Sequence, residues 1–224
     1  MKISHRLETV ASFVARGSFI ADIGSDHATV PIYLYENGVI EHAMAVENKI
    51  GPYSRMIKAL EETGYLEQSY PSLSSGIEKL MPEVDTLVIA GMGARLILSI
   101  LESHKEKLSN VKTIILDAHN ERELLFEPLR GLGYSLASNS FIEEENVSYD
   151  VMKWVKEAKV VPYTPKESLF GPLNLKNKPE AWVKFWKKEE GRLSKILETN
   201  NLPEDKRNEY SKMVEMIKEA LNEN

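Results

Sequence analysis

Apolar residues at Leu7, Val10, Phe13 and Val14 recur at helical spacing and predict an N-terminal helix. Beyond it, short and nearly continuous apolar runs alternate with longer amphipathic stretches. The runs Phe19–Asp22, Ala43–Glu47, Tyr70–Leu73, Thr86–Ala90 and Thr113–Leu116 read as strands. Ala28–Glu36, Tyr53–Glu62, a segment running from Gly93 through Leu101, and Glu121–Leu132 read as the helices between them. Asn37-Gly38 and Thr63-Gly64 supply stops for two of these helices. Repeated strand–helix units predict right-handed crossovers, a parallel sheet and a ligand at the carboxyl ends of its strands. No helix-length segment separates Tyr134–Ile142 from Tyr149–Trp154, so these are expected to close the sheet as an antiparallel pair.

The pattern changes near Val160. Pro162, Pro165, Gly171, Pro172 and Pro179 punctuate a linker in which regular helix is not expected. Trp182, Phe185, Trp186, Leu193, Ile196 and Leu197 then recur mostly three or four apart, as do Tyr210, Met213, Val214, Ile217 and Leu221. Asn200-Asn201-Leu202-Pro203 breaks the chain between the two sets. This predicts an antiparallel α-helical hairpin whose aromatics form its core. The chain therefore divides at about residue 160, with an α/β domain over 1–160 and a linker plus helical hairpin over 161–224.

At 224 residues there is room for one full α/β domain and a smaller appendage. The absence of cysteine excludes disulfides, thiol catalysis and Cys-ligated zinc, and suits a reducing cytoplasm. Charges at Lys2, His5, Arg6 and Glu8 interrupt the position where a signal peptide carries its apolar run. No apolar stretch reaches membrane-spanning length, so a cytoplasmic protein without a membrane partner is expected. Net charge is −6, which argues against nucleic acid until its distribution is considered. Between Lys153 and Lys195 eleven basic residues face five acidic ones, so this segment carries +6 and the rest −12. A local positive field of this kind can bind phosphates whatever the global sum; a lysine-rich solvated helix face gives the same pattern.

The densest candidate chemistry is Asp22-Ile23-Gly24-Ser25-Asp26-His27-Ala28, with Glu47 closing the next strand 25 positions after Asp22. A strand, a tight glycine turn and a second acidic strand end are how α/β folds hold a nucleoside. Only one of the three dinucleotide-fingerprint glycines is present. The arrangement suits S-adenosyl-L-methionine better, because that ligand has no pyrophosphate to seat on a helix N-terminus. In this reading Asp22 orders the turn and meets the ligand's amino group, Gly24 and Ser25 bring backbone close, and Asp26 and His27 flank the ligand. Asp26 also suits a helix N-cap. Glu47, with Asn48, takes the ribose hydroxyls, and Ser75-Gly76 flank the adenine. Ala90-Gly91-Met92-Gly93 offers close backbone approach after a core strand. The N/D-P-P-Y/F signature of exocyclic-amine methylation is absent there. Asp117-Ala118-His119 places a carboxylate and an imidazole on one side of a strand end, as an acid/base pair or metal ligands. No third ligand lies nearby, so no metal is expected.

Taken together, S-H-R-L at Ser4–Leu7, D-I-G-S-D-H-A from Asp22, E-x-x-x-G-P from Glu47, A-G-M-G from Ala90 and L-F-G-P from Leu169 resemble the TrmK family. These are bacterial S-adenosylmethionine-dependent tRNA methyltransferases acting on N1 of adenine 22. The resemblance covers essentially the whole chain. It implies a Rossmann-like class I methyltransferase domain with a coiled-coil-like helical pair, and tRNA engaged near its D-arm through the basic segment Lys153–Lys195. Read from the residues themselves, Asp26, Asp117 and His119 are the side chains expected nearest the chemistry. The chain departs from the family pattern at Thr29, Ala94 and Asp117-Ala118-His119. Taken without the resemblance, the residues leave open another RNA base, a small-molecule acceptor, or a chain that binds cofactor and RNA without turnover.

Overall fold

The computed structural model describes residues 1–199 and 202–222. The Asn200-Asn201 break lies outside the described residues. The chain divides into two compact units, one of residues 1–140 and 149–162, the other of 141–148 and 163–224. The second unit thus takes in the tip of a β-hairpin from within the α/β region, which a boundary drawn at residue 160 does not anticipate.

In the first unit, α1 (His5–Ser12) precedes β1 (Ile20–Ile23), α2 (Thr29–Glu36), β2 (Ala43–Glu47), α3 (Ile50–Thr63) and β3 (Ser69–Leu73). There follow β4 (Thr86–Met92), α4 (Ala94–Ser103), β5 (Thr113–Ala118), α5 (Phe126–Gly131), β6 (Tyr134–Glu144) and β7 (Val147–Lys156). The described residues form a seven-stranded sheet ordered β3-β2-β1-β4-β5-β7-β6. Pairs from β3 to β5 are parallel, and β7 joins β5 antiparallel with Asp117 opposite Val151. β1 and β2 are buried along their whole length, as their continuous apolar runs require. Strand order reverses between β1 and β4, and the crevice outside that switch point is where such sheets take ligands.

The predicted helix Glu121–Leu132 is instead a 3₁₀ turn, Arg122–Leu125, followed by α5. A continuous helix would set the Pro128 ring against the Leu124 carbonyl; restarting at Phe126 moves the proline into the first turn.

The second unit also corrects the sequence reading of its linker. α6 (Pro165–Phe170) and α7 (Pro172–Asn177) both begin on proline, where the missing N–H costs nothing and the fixed φ favours a start. Thr164 and Glu167 close a reciprocal cap on α6. α8 (Glu180–Leu197) and α9 (Glu204–Asn222) form the expected pair. Their core joins Trp182, Trp186, Leu193, Val214 and Ile217 to Phe141 and Phe170. The Trp182 indole donates to the Phe170 carbonyl at 3.0 Å, satisfying the polar atom of a fully buried ring. Among the described residues no helix is long and apolar enough to cross a membrane.

Candidate active site

The turn after β1 is built against the end of β2. Gly24 sits at φ +78°, and the Gly24 and Ser25 N–H groups both donate to the Val46 carbonyl, at 2.9 and 3.1 Å. Asp26 and Ala28 follow with φ of +38° and +52°, a region that side chains rarely occupy. Glu47 holds this strained turn. Its buried carboxylate accepts the Asp26 N–H at 2.7 Å and the Asn48 N–H at 3.2 Å. The Asp26 side chain does not cap α2. That N-cap is Ala28, and the Asp26 carboxylate instead takes Arg55 of α3, Nε at 3.0 Å and Nη2 at 2.8 Å.

Beneath the turn Asp22 is buried, and the Ser25 hydroxyl donates to its Oδ2 at 2.6 Å. Burial pushes the Asp22 carboxyl up to about 6; the Ser25 bond opposes this and the nearby Glu47 charge adds to it. The folded state therefore binds this proton more tightly than the unfolded chain. The stability it contributes is complete below about pH 4 and is lost as pH rises through about 6. Asp22→Asn is expected to be more stable than the parent by about 3 kcal/mol at pH 8, the carboxyl's shift from 3.8 to about 6 taken at about 1.36 kcal/mol per unit. Urea unfolding at stepped pH should show that gain vanishing below pH 4.

A cavity of about 530 Å³ opens over this turn at the carboxyl ends of β1, β2 and β4. Of the expected ligand residues, Gly24, Asp26, Glu47, Asn48, Ser75, Gly76 and Met92 line it. Asp22 and Ser25 lie below as supports, and the His27 side chain is 58 % exposed beside Asp26. β4 runs on to Met92, and its pairing with β5 shifts register between Ala90 and Met92. Gly91, at φ +82°, forms the irregularity, so Gly91 and Gly93 turn away from the cavity toward His119 and Asn120.

Sequence reasoning missed one wall of the cavity, formed by Leu96, Ser99, Ile100 and Ser103 of α4. The three-four spacing of Leu96 and Ile100 looks like core, yet Leu96 is 53 % exposed. The paired serines on the same stripe were the available signal.

Asp117 and His119 do not form an acid/base pair. The Asp117 side chain has no exposed surface, and its Oδ2 takes Arg6 Nη1 of α1 at 2.5 Å. Its Oδ1 has no hydrogen-bond partner among the described residues. His119 is exposed, its N–H donating to the Met92 carbonyl at 3.0 Å and its ring meeting Tyr149 edge-on at 5.9 Å. Arg6 lies over that same Tyr149 ring, 5.4 Å from its centroid. Among the described residues no group of three or more His, Asp or Glu gathers as a metal site.

A Rossmann-like sheet with a nucleoside-sized cavity at its switch point, closed by a carboxylate at the end of β2, defines a methyltransferase-type domain. Comparison with known proteins narrows this class. The family model described as tRNA (adenine(22)-N(1))-methyltransferase matches residues 20–223. The tRNA (adenine(22)-N(1))-methyltransferase of Bacillus subtilis is 30% identical, over 99% of this chain and 98% of that one. Streptococcus pneumoniae Sp1610, solved with S-adenosyl-L-methionine, superposes with a TM-score of 0.89 at 34% identity, covering 99% of this chain and 100% of its own. M. capricolum TrmK, solved with S-adenosyl-homocysteine, superposes with a TM-score of 0.89 at 27% identity, over 99% of both chains. The chain belongs to the tRNA (adenine(22)-N(1))-methyltransferase family.

Proposed function

We propose that the protein transfers a methyl group from S-adenosyl-L-methionine to N1 of adenine 22 in tRNA, in the cytoplasm. Within the family just established, the observation that carries this reading is the cavity that closes on Glu47. Its volume of about 530 Å³ is that of a small-molecule site, and its chemistry matches the donor. Glu47 spends one lone pair of each oxygen on backbone N–H groups, leaving others for ribose hydroxyls. Leu96 and Ile100 offer an apolar face to an adenine ring, and Ser75-Gly76 lie at its edge. Asp26, above the buried Asp22, supplies negative charge for a cationic amino-acid moiety. When bound, the donor supplies an electrophilic methyl on a sulfonium.

Neutral adenine already carries a lone pair at N1, so no residue need remove a proton before attack. The work left to the chain is orientation, for which roughly 7–11 kcal/mol of barrier lowering is available in near-attack geometry. The base becomes cationic as the sulfonium is neutralised; the Asp26 carboxylate is already paired with Arg55, so the rate is left to orientation of donor and acceptor. N1 lies on the pairing edge, so adenine 22 must leave its stack. Asp117 acts at one remove, fixing Arg6. Basic residues between Lys153 and Lys195 hold the D-arm backbone by phosphate contacts, and Lys187 and Lys188 of α8 are exposed for that role. Within the second unit Lys184 pairs with Glu143 and Arg192 with Glu189, which reduces the positive field of the segment.

The test is incubation with radiolabelled S-adenosyl-L-methionine and unmodified bacterial tRNA, followed by nucleoside analysis. Label is expected in 1-methyladenosine alone. Label in another nucleoside would move the acceptor atom, and none would end the reading.

A further inference from the structure

Asp26 is restrained along its whole length. Its backbone sits at φ +38°, its N–H is held by Glu47 Oε1 at 2.7 Å, and its carboxylate is held from α3. Two nitrogens of Arg55 converge there on a single oxygen, Nε on Oδ1 at 3.0 Å and Nη2 on Oδ1 at 2.8 Å. A guanidinium that served only to neutralise the carboxylate would be expected to fork across both oxygens. Among the described residues, Oδ2 meets only the exposed His27 imidazole, whose Nε2 is 3.9 Å away and beyond hydrogen-bond distance. Asp26 lines the cavity, so this arrangement leaves a carboxylate oxygen with acceptor capacity at the wall where the donor's amino-acid arm is placed.

Arg55 is mounted on a rigid support. Its neighbour Met56, and Leu60 one turn further on, are fully buried against Ala28, Ile32 and Ala45, which fixes α3 to the far end of the turn and to β2. Pro52, three residues before Arg55, lines the cavity. Both partners of the Arg55–Asp26 pair are 48 % exposed, and an ion pair at that exposure adds little to stability. Its consequence lies instead in where it aims the carboxylate. We propose that Arg55 is a positioning residue for donor binding: it anchors Oδ1 of Asp26 so that Oδ2 accepts a hydrogen bond from the ammonium group of the donor's amino-acid arm. The inference rests on the donor-binding part of the function proposed above and deepens it. Arg55 acts through Asp26, by preventing the side-chain rotation that would turn Oδ2 away from the cavity.

The experiment compares two ligands by titration calorimetry on the full chain. S-adenosyl-homocysteine carries the amino-acid arm, and 5′-methylthioadenosine has the same adenosine and thioether without it. Arg55→Met is expected to weaken S-adenosyl-homocysteine roughly 5- to 20-fold, part of what a charged hydrogen bond contributes, and to leave 5′-methylthioadenosine within twofold. The unchanged nucleoside affinity also verifies folding. Asp26→Gly removes the carboxylate at a backbone position that glycine accepts, and adding Arg55→Met to it is expected to change neither affinity by more than twofold. Equal weakening of both ligands by Arg55→Met would make Arg55 a brace of the turn and overturn the proposal, as would weakening of neither. A further loss of S-adenosyl-homocysteine in the double variant also overturns it, because Arg55 would then act on the donor directly. A parent protein that binds neither ligand ends the donor reading itself, and the positioning role falls with it; a parent that binds both leaves only Arg55 at stake.

Discussion

Glu47→Ala is expected to lower the affinity for S-adenosyl-L-methionine by at least about 100-fold while tRNA affinity stays within a few-fold. The carboxylate does two things at once. It ties down the Asp26 and Asn48 N–H groups of the turn, and it faces the cavity with acceptor capacity to spare. A hydrogen bond to a charged acceptor contributes about 1.5–3 kcal/mol, so losing two ribose contacts costs about 3–6 kcal/mol. The turn adds its own penalty, because Asp26 and Ala28 hold positive φ only while something restrains them. Glu47→Gln keeps the shape and one acceptor and should fall between. Titration calorimetry separates the three proteins directly. Parent-like affinity in Glu47→Ala would remove Glu47 from the ribose and leave it a turn support only.

Arg6→Met is expected to destabilise the first unit by about 3–5 kcal/mol, the usual consequence of stranding one partner of a buried ion pair. The Asp117 side chain is fully buried and Arg6 bonds it at 2.5 Å, with the other carboxylate oxygen unpartnered among the described residues. For a chain of this size that loss lowers Tm by roughly 6–20 °C. Adding Asp117→Asn removes the stranded charge, so the double variant should recover much of the stability but not the activity. This split is the signature of a pair that stabilises the fold and also supports turnover through Arg6. Full recovery of turnover in the double variant would make the pair purely structural.

The parts of this molecule legible in its sequence are those decided locally. Continuous apolar runs fall on β1 and β2 because both faces of a central parallel strand are buried. Gly24 marks the turn because the backbone there needs a positive φ. Glu47 stands out because it ends a buried strand one crossover later. Long-range partnerships gave no such signal. Arg6 and Asp117 are 111 residues apart, and nothing near either position announces the other. Tyr149 looks like one more alternating residue of a closing strand until the fold brings it to Arg6 and His119. Asp26, expected beside the ligand, also suited a helix cap by position, yet the chain bends through a left-handed Ala28 and hands that carboxylate to Arg55. Proline misled in the other direction. Pro165 and Pro172 are helix breakers in an interior but starters at the first position, and only the surrounding caps distinguish the two cases.

The central claim is that N1 of adenine 22 is the acceptor, and two tRNA transcripts differing only at position 22 test it most directly. One carries adenine there and the other guanine, and both are incubated with the protein and labelled S-adenosyl-L-methionine. The account predicts close to one methyl per adenine-22 transcript, recovered as 1-methyladenosine at that position, and none on its guanine-22 counterpart. Equal labelling of both transcripts, or label at any other nucleoside of the first, would contradict it.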